Sequence, residues 1–126
     1  MIQHVTREVT PRQLDPCVQF YRVLGFHPAP VPAGIAGRAR WLERGATQIH
    51  LMPLDDAQVQ SGHIGIIVES YDATIEQLRR QGHEIDPRTA HWGSPRAYVR
   101  DPAGHLVEVM AFRPGATGPE RGQTTR

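Results

Sequence analysis

The sequence has little cysteine, no marked excess of charge of either sign and no long apolar run. Its single cysteine, Cys17, excludes an internal disulfide and a zinc site built from several cysteines. The 14 Lys plus Arg and 13 Asp plus Glu leave a formal charge of +1, which argues against a nucleic-acid partner held by bulk positive charge. No apolar run approaches the ~20 residues that a membrane helix needs, and the first residues lack the pattern of a signal peptide. We therefore expect a soluble, cytoplasmic protein without nucleic-acid or membrane partners.

The composition fits one small globular domain. Hydrophobic residues make up 39% of the 126 residues, which is enough for a single core. The tail, residues 113–126, holds almost nothing apolar and is predicted to be disordered. Seven histidines are many for this length, so their positions are the first place to look for a site.

Apolar periodicity and Gly/Pro punctuation predict the same order of elements in each half of the chain. In the first half we predict a strand at 2–9, a helix between the N-cap Asp15 and Gly25, a loose segment at 28–34, and strands at 38–43 and 47–52. In the second half we predict a strand at 63–69, a helix between Asp72 and Gly82, strands at 84–86, 96–100 and 106–112, and a turn at 101–104.

The two halves also resemble each other residue by residue. Residues 41–52 align without gaps on residues 99–110, and the first strands of the two halves align as well. Such a repeat fixes the architecture. The predicted fold is α+β, with two βαβββ modules, at 1–53 and 62–112, that form a curved mixed sheet around a cleft within one domain, 1–112.

Strand alternation selects four candidate metal ligands. His4 and His63 occupy equivalent places on the first strands, while His50 and Glu108 face away from the helices on the last strands. A pseudo-twofold axis would bring all four into the cleft. Imidazoles and a carboxylate suit Zn, Ni, Mn, Co or Fe(II), and two His with one carboxylate leave positions open for substrate. Taken singly, a histidine or glutamate on a strand is usually a surface residue or a hydrogen-bonded core residue.

Basic and aromatic side chains alternate on the strand that precedes Glu108. If the residues between them pack under the helix, Arg96, Tyr98 and Arg100 line the cleft, and Arg38 and Arg40 occupy equivalent places in the first half. Arginine binds carboxylate or phosphate, so an anionic substrate is one expectation. The alternative is that these arginines face solvent.

Other polar residues have less specific interpretations. Thr6 follows His4 by two residues and is predicted to face the cleft as a substrate contact, while Glu8 is either a second base or a solvated strand end. Trp92 either covers the cleft or packs on the surface. Cys17 is predicted to be a core residue and not a nucleophile. The histidines without a ligand-type counterpart are assigned to surface or loops: His27, His83, His91 and His105.

Three segments carry a resemblance to a known family: Phe-Tyr-Arg-Val-Leu-Gly-Phe at 20–26, Gly-His-Ile at 62–64 and Asp-Pro-Ala-Gly-His-Leu-Val-Glu at 101–108. Over residues 2–112 the chain resembles the vicinal oxygen chelate superfamily. This superfamily includes glyoxalase I, methylmalonyl-CoA epimerase, extradiol dioxygenases, and fosfomycin- and bleomycin-resistance proteins. The resemblance is specific for the fold and weak for the reaction.

The resemblance implies roles for the same residues. The family's ligand positions correspond to His4, His50, His63 and Glu108, and the extradiol and fosfomycin enzymes use the equivalents of His4, His63 and Glu108. Glyoxalase I has a carboxylate or Gln where this chain has His50, which departs from that enzyme. The fosfomycin enzymes have a tyrosine at the place of Tyr98. Bleomycin-resistance proteins lack the ligands.

These observations lead to one functional hypothesis and two alternatives. The hypothesis is a glyoxalase-like, metal-dependent lyase, isomerase or transferase that acts on a small oxygenated, anionic or neutral molecule. A divalent ion would act as a Lewis acid, and Glu108 would be the catalytic base. The alternatives are an extradiol-type Fe(II) dioxygenase and a resistance protein that binds a drug or metabolite without turnover. A homodimer is expected from the family.

Overall fold

A computed structural model describes residues 1–35 and 37–116 of the chain. The predicted disordered tail lies outside these residues from position 117 onward. The chain divides into two compact units. Unit 1 comprises Met1–Gln60 and Asp101–His105, and unit 2 comprises Ser61–Arg100 and the described residues from Leu106 onward. Within the described ranges, no helix has both the length and the apolar character required to cross a membrane.

Unit 1 contains a four-stranded mixed sheet with one α-helix. Its elements are β1 (His4–Val9), a short 3-10 helix (Pro11–Gln13), α1 (Leu14–Val23), β2 (His27–Ala29), β3 (Arg40–Arg44) and β4 (Thr47–Pro53). The strand order is β1-β4-β3-β2, in which β1 and β4 are parallel and the other pairs are antiparallel.

Unit 2 repeats this arrangement. Its elements are β5 (His63–Ile67), α2 (Tyr71–Arg80), β6 (Asp86–Arg88), β7 (Arg96–Arg100) and β8 (Leu106–Met110). The strand order is β5-β8-β7-β6, again with one parallel pair, β5 and β8. The predicted α+β class and the two βαβββ modules are therefore confirmed, while the exact domain and module limits remain a prediction.

Several predicted boundaries are wrong by a few residues. Helix α1 does not begin at an Asp15 cap, because a 3-10 turn precedes it and Gln13 occupies the N-cap. The Gln13 side chain accepts a hydrogen bond from the Thr10 backbone N–H at 2.8 Å, which closes that turn. Strand β2 lies partly in the segment predicted to be loose, and β6 lies two residues later than predicted. Both helices end just before a glycine with positive φ, Gly25 and Gly82, as predicted.

Apolar helix and strand faces form the core of each unit. In unit 1, α1 contacts β3 and β4, and its predicted apolar face is buried together with strand residues. These core residues are Cys17, Phe20, Tyr21, Leu24, Leu42, Ile49 and Leu51. In unit 2 the buried residues include Ile75 and Leu78 of α2 and Ala97, Val99, Val107 and Val109 of the sheet. Alternation in the strands thus leaves the opposite sheet face for polar residues.

The turn between β7 and β8 belongs to unit 1 and carries a buried polar network. Asp101 is 3% exposed and accepts a hydrogen bond from the Tyr21 hydroxyl at 2.6 Å. The other Asp101 oxygen accepts bonds from the backbone N–H groups of Ala103 and His105, each at 2.9 Å. His105 itself is 1% exposed, and its Nε2–H donates to the Glu8 carbonyl at 2.7 Å. His105 therefore lies in a loop, which was one of its two predicted locations, but it is buried there and not at the surface.

Cys17 is fully buried, as predicted for a core residue. Burial, followed by the nearby negative charge of Asp101, raises the pKa of its thiol to about 12. In the unfolded chain the thiol ionises near its ordinary value of 9.0. Above that pH the unfolded state loses this proton while the folded state keeps it, so the free energy of unfolding decreases as pH rises toward 12.

We therefore predict that the protein loses stability above about pH 9, and that Cys17 contributes at most about 1.4 kcal/mol per pH unit to this loss. Urea unfolding at pH 8, 9 and 10 measures it, with Cys17→Ala as the matched variant. The variant should show a shallower decrease, and the native thiol should resist iodoacetamide at pH 8 until urea is added. Rapid alkylation of the native protein would contradict the prediction.

Candidate metal centre

In unit 2, strand pairing places Glu108 in the middle of one face of the sheet. Glu108 of β8 lies between Gly65 of β5 and Tyr98 of β7. On the same face β7 also carries Arg96 and Arg100, since the residues between them are buried on the opposite face. The predicted alternation of Arg96, Tyr98 and Arg100 is thus observed in the structure.

Glu108 is buried and engaged at both carboxylate oxygens. His63 Nε2 lies 3.1 Å from Oε1, and Arg96 Nη1 donates to Oε2 at 2.9 Å. The side chains of Arg96 and Glu108 are 11% and 10% exposed, whereas that of His63 is 34% exposed. Arg96 Nε also donates to the Thr89 carbonyl at 2.7 Å. The two predicted ligands of unit 2 are therefore in direct contact, and a fixed positive charge lies beside them.

Aromatic rings surround this ion pair. The Arg96 guanidinium lies 5.5 Å from the Trp92 ring centroid and 5.9 Å from that of Tyr98. The Tyr98 ring is 5.2 Å from His63 and is also covered by Arg88 at 4.9 Å. Trp92 is anchored by a 2.8 Å hydrogen bond from Nε1 to the Phe112 carbonyl. The structure thus favours packing on the surface, and not covering the cleft, as the role of Trp92.

In unit 1, the two predicted ligands belong to a stack of three rings. The His4 and His50 centroids are 4.2 Å apart with planes inclined by 14°, and the other face of His50 stacks on Trp41 at 3.9 Å and 2°. Each imidazole also contacts a glutamine oxygen at 2.7 Å, His4 through Nδ1 to Gln3 and His50 through Nε2 to Gln48. His50 is 9% exposed. Burial, and then the charge of His4, lowers the pKa of His50.

Thr6 lies on this face of unit 1, directly opposite His50 in the β1–β4 register. Thr6 therefore shares a sheet face with His50, and its role as a substrate contact remains a prediction. Glu8, two residues further along β1, accepts a hydrogen bond from the Gln58 backbone N–H at 3.0 Å. This bond makes Glu8 a structural group at the end of the strand, and we do not assign it as a base.

The predicted equivalence of Arg40 with the arginines of unit 2 is wrong. Arg40 pairs with the fully buried Leu51, so it lies on the helix side of the sheet, and it contacts Asp15 of α1 at 3.8 Å. Trp41 is the residue that pairs with His50, just as Tyr98 pairs with Glu108 in unit 2. The gapless alignment missed this because two residues join β3 to β4 and five join β7 to β8, and a one-residue slip in register exchanges the two faces.

Each unit thus brings two of the predicted ligands together. In residues 1–35 and 37–116, no group of three or more His, Cys, Asp or Glu side chains is close enough to hold a metal ion. The structure therefore shows two pairs of predicted ligands, His4 with His50 and His63 with Glu108. That all four bind one ion remains a prediction.

Comparisons with known proteins agree with the fold. Residues 1–109 match the family model described as the Glyoxalase/Bleomycin resistance protein/Dioxygenase superfamily. The chain therefore belongs to this superfamily, and the resemblance to vicinal oxygen chelate proteins is confirmed. A search of curated proteins found no match.

Solved structures show the same architecture. A Bacillus anthracis protein described as a member of the glyoxalase family is 26% identical, with a TM-score of 0.76, and the match covers 87% of this chain and 93% of that one. Lactoylglutathione lyase from Agrobacterium tumefaciens is 21% identical, with a TM-score of 0.65 over 87% and 92% of the two chains. The bleomycin resistance determinant encoded on transposon Tn5 is 20% identical, with a TM-score of 0.59 over 84% and 94%. The last two likenesses concern the fold alone.

Proposed function

We propose that this chain is a glyoxalase-like, metal-dependent lyase, isomerase or transferase that acts on a small molecule with two neighbouring oxygens. The observation that carries the proposal is the contact between His63 and the buried Glu108 on the polar face of unit 2. A buried carboxylate beside an imidazole is a ready pair of ligands, because a cation can replace the proton between them.

The two histidines of unit 1, His4 and His50, are also suited to bind a divalent metal ion. A ligating histidine usually donates its second ring N–H to an oxygen, which fixes the tautomer and leaves the other nitrogen with its lone pair. Donation from His4 to Gln3 leaves the Nε2 lone pair of His4 available, and donation from His50 to Gln48 leaves Nδ1 of His50. The side chains present are therefore suited to Zn, Ni, Mn, Co or Fe(II).

The ring stack supports His4 over His50 as the ligand from unit 1. Lone pairs lie in the ring plane, and the nearly parallel planes of His4 and His50 do not converge on one point. His50 is held between two rings, whereas His4 is exposed. The proposal therefore takes His4, His63 and Glu108 as ligands, and His50 joins them only if one ring leaves the stack.

The protein's own side chains would bind and orient the substrate. A bound divalent ion would supply a Lewis acid for the paired oxygens. Tyr98 and Arg100 face an open cavity of about 420 Å³, which is also lined by Leu106, Glu84 and Asp86 and is large enough for a small molecule. In this proposal Thr6 is a further substrate contact, and the working form is a cytoplasmic homodimer. Glu108 is the candidate base, and it would accept a proton at Oε1 when that oxygen is not bound to the ion.

Metal analysis of the full-length protein tests the proposal. We expect purified protein, dialysed against buffer with Ni, Co, Zn or Mn, to retain one of these ions in stoichiometric amount. Absence of stoichiometric metal together with no affinity for any of the four would contradict it and would favour the resistance-protein alternative.

The extradiol-type dioxygenase is the second candidate. The observation that favours it is the confinement of His50 to the ring stack, since two His and one carboxylate then leave positions open as in Fe(II) oxygenases. Oxygen uptake by the Fe(II)-loaded protein with catechols as substrates distinguishes this candidate. Uptake with Fe(II) would select the dioxygenase, and its absence in a metal-binding protein would select the first function.

A further inference from the structure

We propose that Arg96 is a positioning residue, which holds Oε2 of Glu108 so that this carboxylate binds a metal ion through Oε1 alone. The inference rests on the proposed function, because it concerns the same centre. It also assigns Arg96 a role different from the anion contact that the sequence suggested.

The two oxygens of the Glu108 carboxylate contact different side chains. Oε1 lies 3.1 Å from His63 Nε2, and Oε2 lies 2.9 Å from Arg96 Nη1. The Arg96 and Glu108 side chains are both about nine-tenths buried. A charge-assisted hydrogen bond in such surroundings is strong and costly to break. An ion at His63 would therefore find Oε1 in reach and Oε2 already engaged.

The guanidinium is itself held from several sides. Its Nε donates to the Thr89 carbonyl at 2.7 Å, and its plane lies near the rings of Trp92 and Tyr98. Two of its three nitrogens are thus committed to protein oxygens. A substrate anion that bound both would have to displace these contacts, which is why we assign Arg96 to Glu108 and leave substrate contact to Tyr98 and Arg100.

Arg96 is the partner that holds Oε2 of Glu108, whereas His63 contacts only Oε1. The neighbour of Glu108 on β7 is Tyr98, but its neighbour on β5 is Gly65, which has no side chain to fix the carboxylate. Without Arg96, the carboxylate could rotate until both oxygens faced the ion. The absorption of Co(II) reports this change, because an added oxygen ligand raises the coordination number and weakens the visible bands.

The experiment is a Co(II) titration of the full-length protein followed in the visible region. In Arg96→Met, whose unbranched side chain keeps the packing between the rings, we expect the molar absorptivity at saturation to fall at least about two-fold. Arg96→Lys, which retains a cation for Oε2, should recover most of the wild-type spectrum. Arg80→Leu is the matched control, since Arg80 is an exposed α2 residue paired with Glu76, and it should leave the spectrum unchanged.

The outcomes separate this inference from the function on which it rests. If wild-type protein binds no Co(II), the proposed metal dependence fails. If wild type and Arg96→Met bind Co(II) with the same spectrum, the metal centre stands and the positioning role is overturned. Circular dichroism verifies folding, and if Arg96→Met does not fold, Arg96→Ala replaces it with the same expected fall.

Discussion

Glu108→Gln is expected to bind Co(II) on the order of 100-fold more weakly than wild type, which is the largest functional effect that we predict. The carboxamide keeps the size of the side chain but loses the negative charge that draws a cation to His63. It also leaves Arg96 as a buried cation without its carboxylate partner. Both changes therefore weaken the binding of the Co(II) cation beside His63 and Arg96. Isothermal titration of the two proteins with Co(II) measures the difference.

His63→Ala should weaken Co(II) binding to a similar extent, since it removes the second member of the pair. The matched controls are Glu76→Gln and His91→Ala, which alter the same residue types at exposed positions. Both controls should bind Co(II) as wild type does. Unchanged affinity in Glu108→Gln and His63→Ala would place the ion elsewhere and would refute the proposed centre.

The fold was predictable from sequence because the repeat and the strand patterns agree. In unit 2 the alternation at 96–100 correctly assigns Ala97 and Val99 to the core and Tyr98 to the polar face. Residues on one strand keep their relative orientation whatever the neighbouring strands do. Predictions made within single strands were therefore sound, and Glu108 was placed correctly on the same principle.

Predictions across strands were less secure, because they depend on loop length. The misassigned Arg40 and the unrecognised Trp41 both follow from a different connection between β3 and β4 than between β7 and β8. The signal was present in the sequence. A two-residue Gly45-Ala46 turn and the longer turn at 101–105 cannot give the same register to both strand pairs.

The partners of the β7–β8 turn could not be predicted from local patterns. Its residues predicted a tight turn, which formed, but packing against unit 1 depends on contacts far apart in sequence. The Tyr21 hydroxyl bonds to Asp101 across a separation of 80 residues, and His105 reaches Glu8 across 97. A histidine in a turn is usually exposed, so only the three-dimensional structure identifies His105 as buried.

Asp101→Ala should lower the free energy of unfolding by roughly 3 kcal/mol or more, which is the largest stability effect that we predict. Asp101 is buried and accepts three hydrogen bonds, so its removal leaves the Tyr21 hydroxyl and two backbone N–H groups without an acceptor. Burial, reinforced by the Asp101 charge, raises the pKa of Tyr21 well above its ordinary value, so the hydroxyl remains a donor at neutral pH. Urea unfolding at pH 7 measures the loss.

Tyr21→Phe removes only the hydroxyl and keeps the ring in the core, so its cost should be smaller, about 1–2 kcal/mol. The double variant should be less destabilised than the sum of the two single changes, because both remove the same hydrogen bond. Asp86→Ala, at an exposed site, should change stability by less than about 0.5 kcal/mol. If Asp101→Ala cost no more than Asp86→Ala, the turn would not be held by its carboxylate, and simple burial of apolar neighbours would have to explain its position in unit 1.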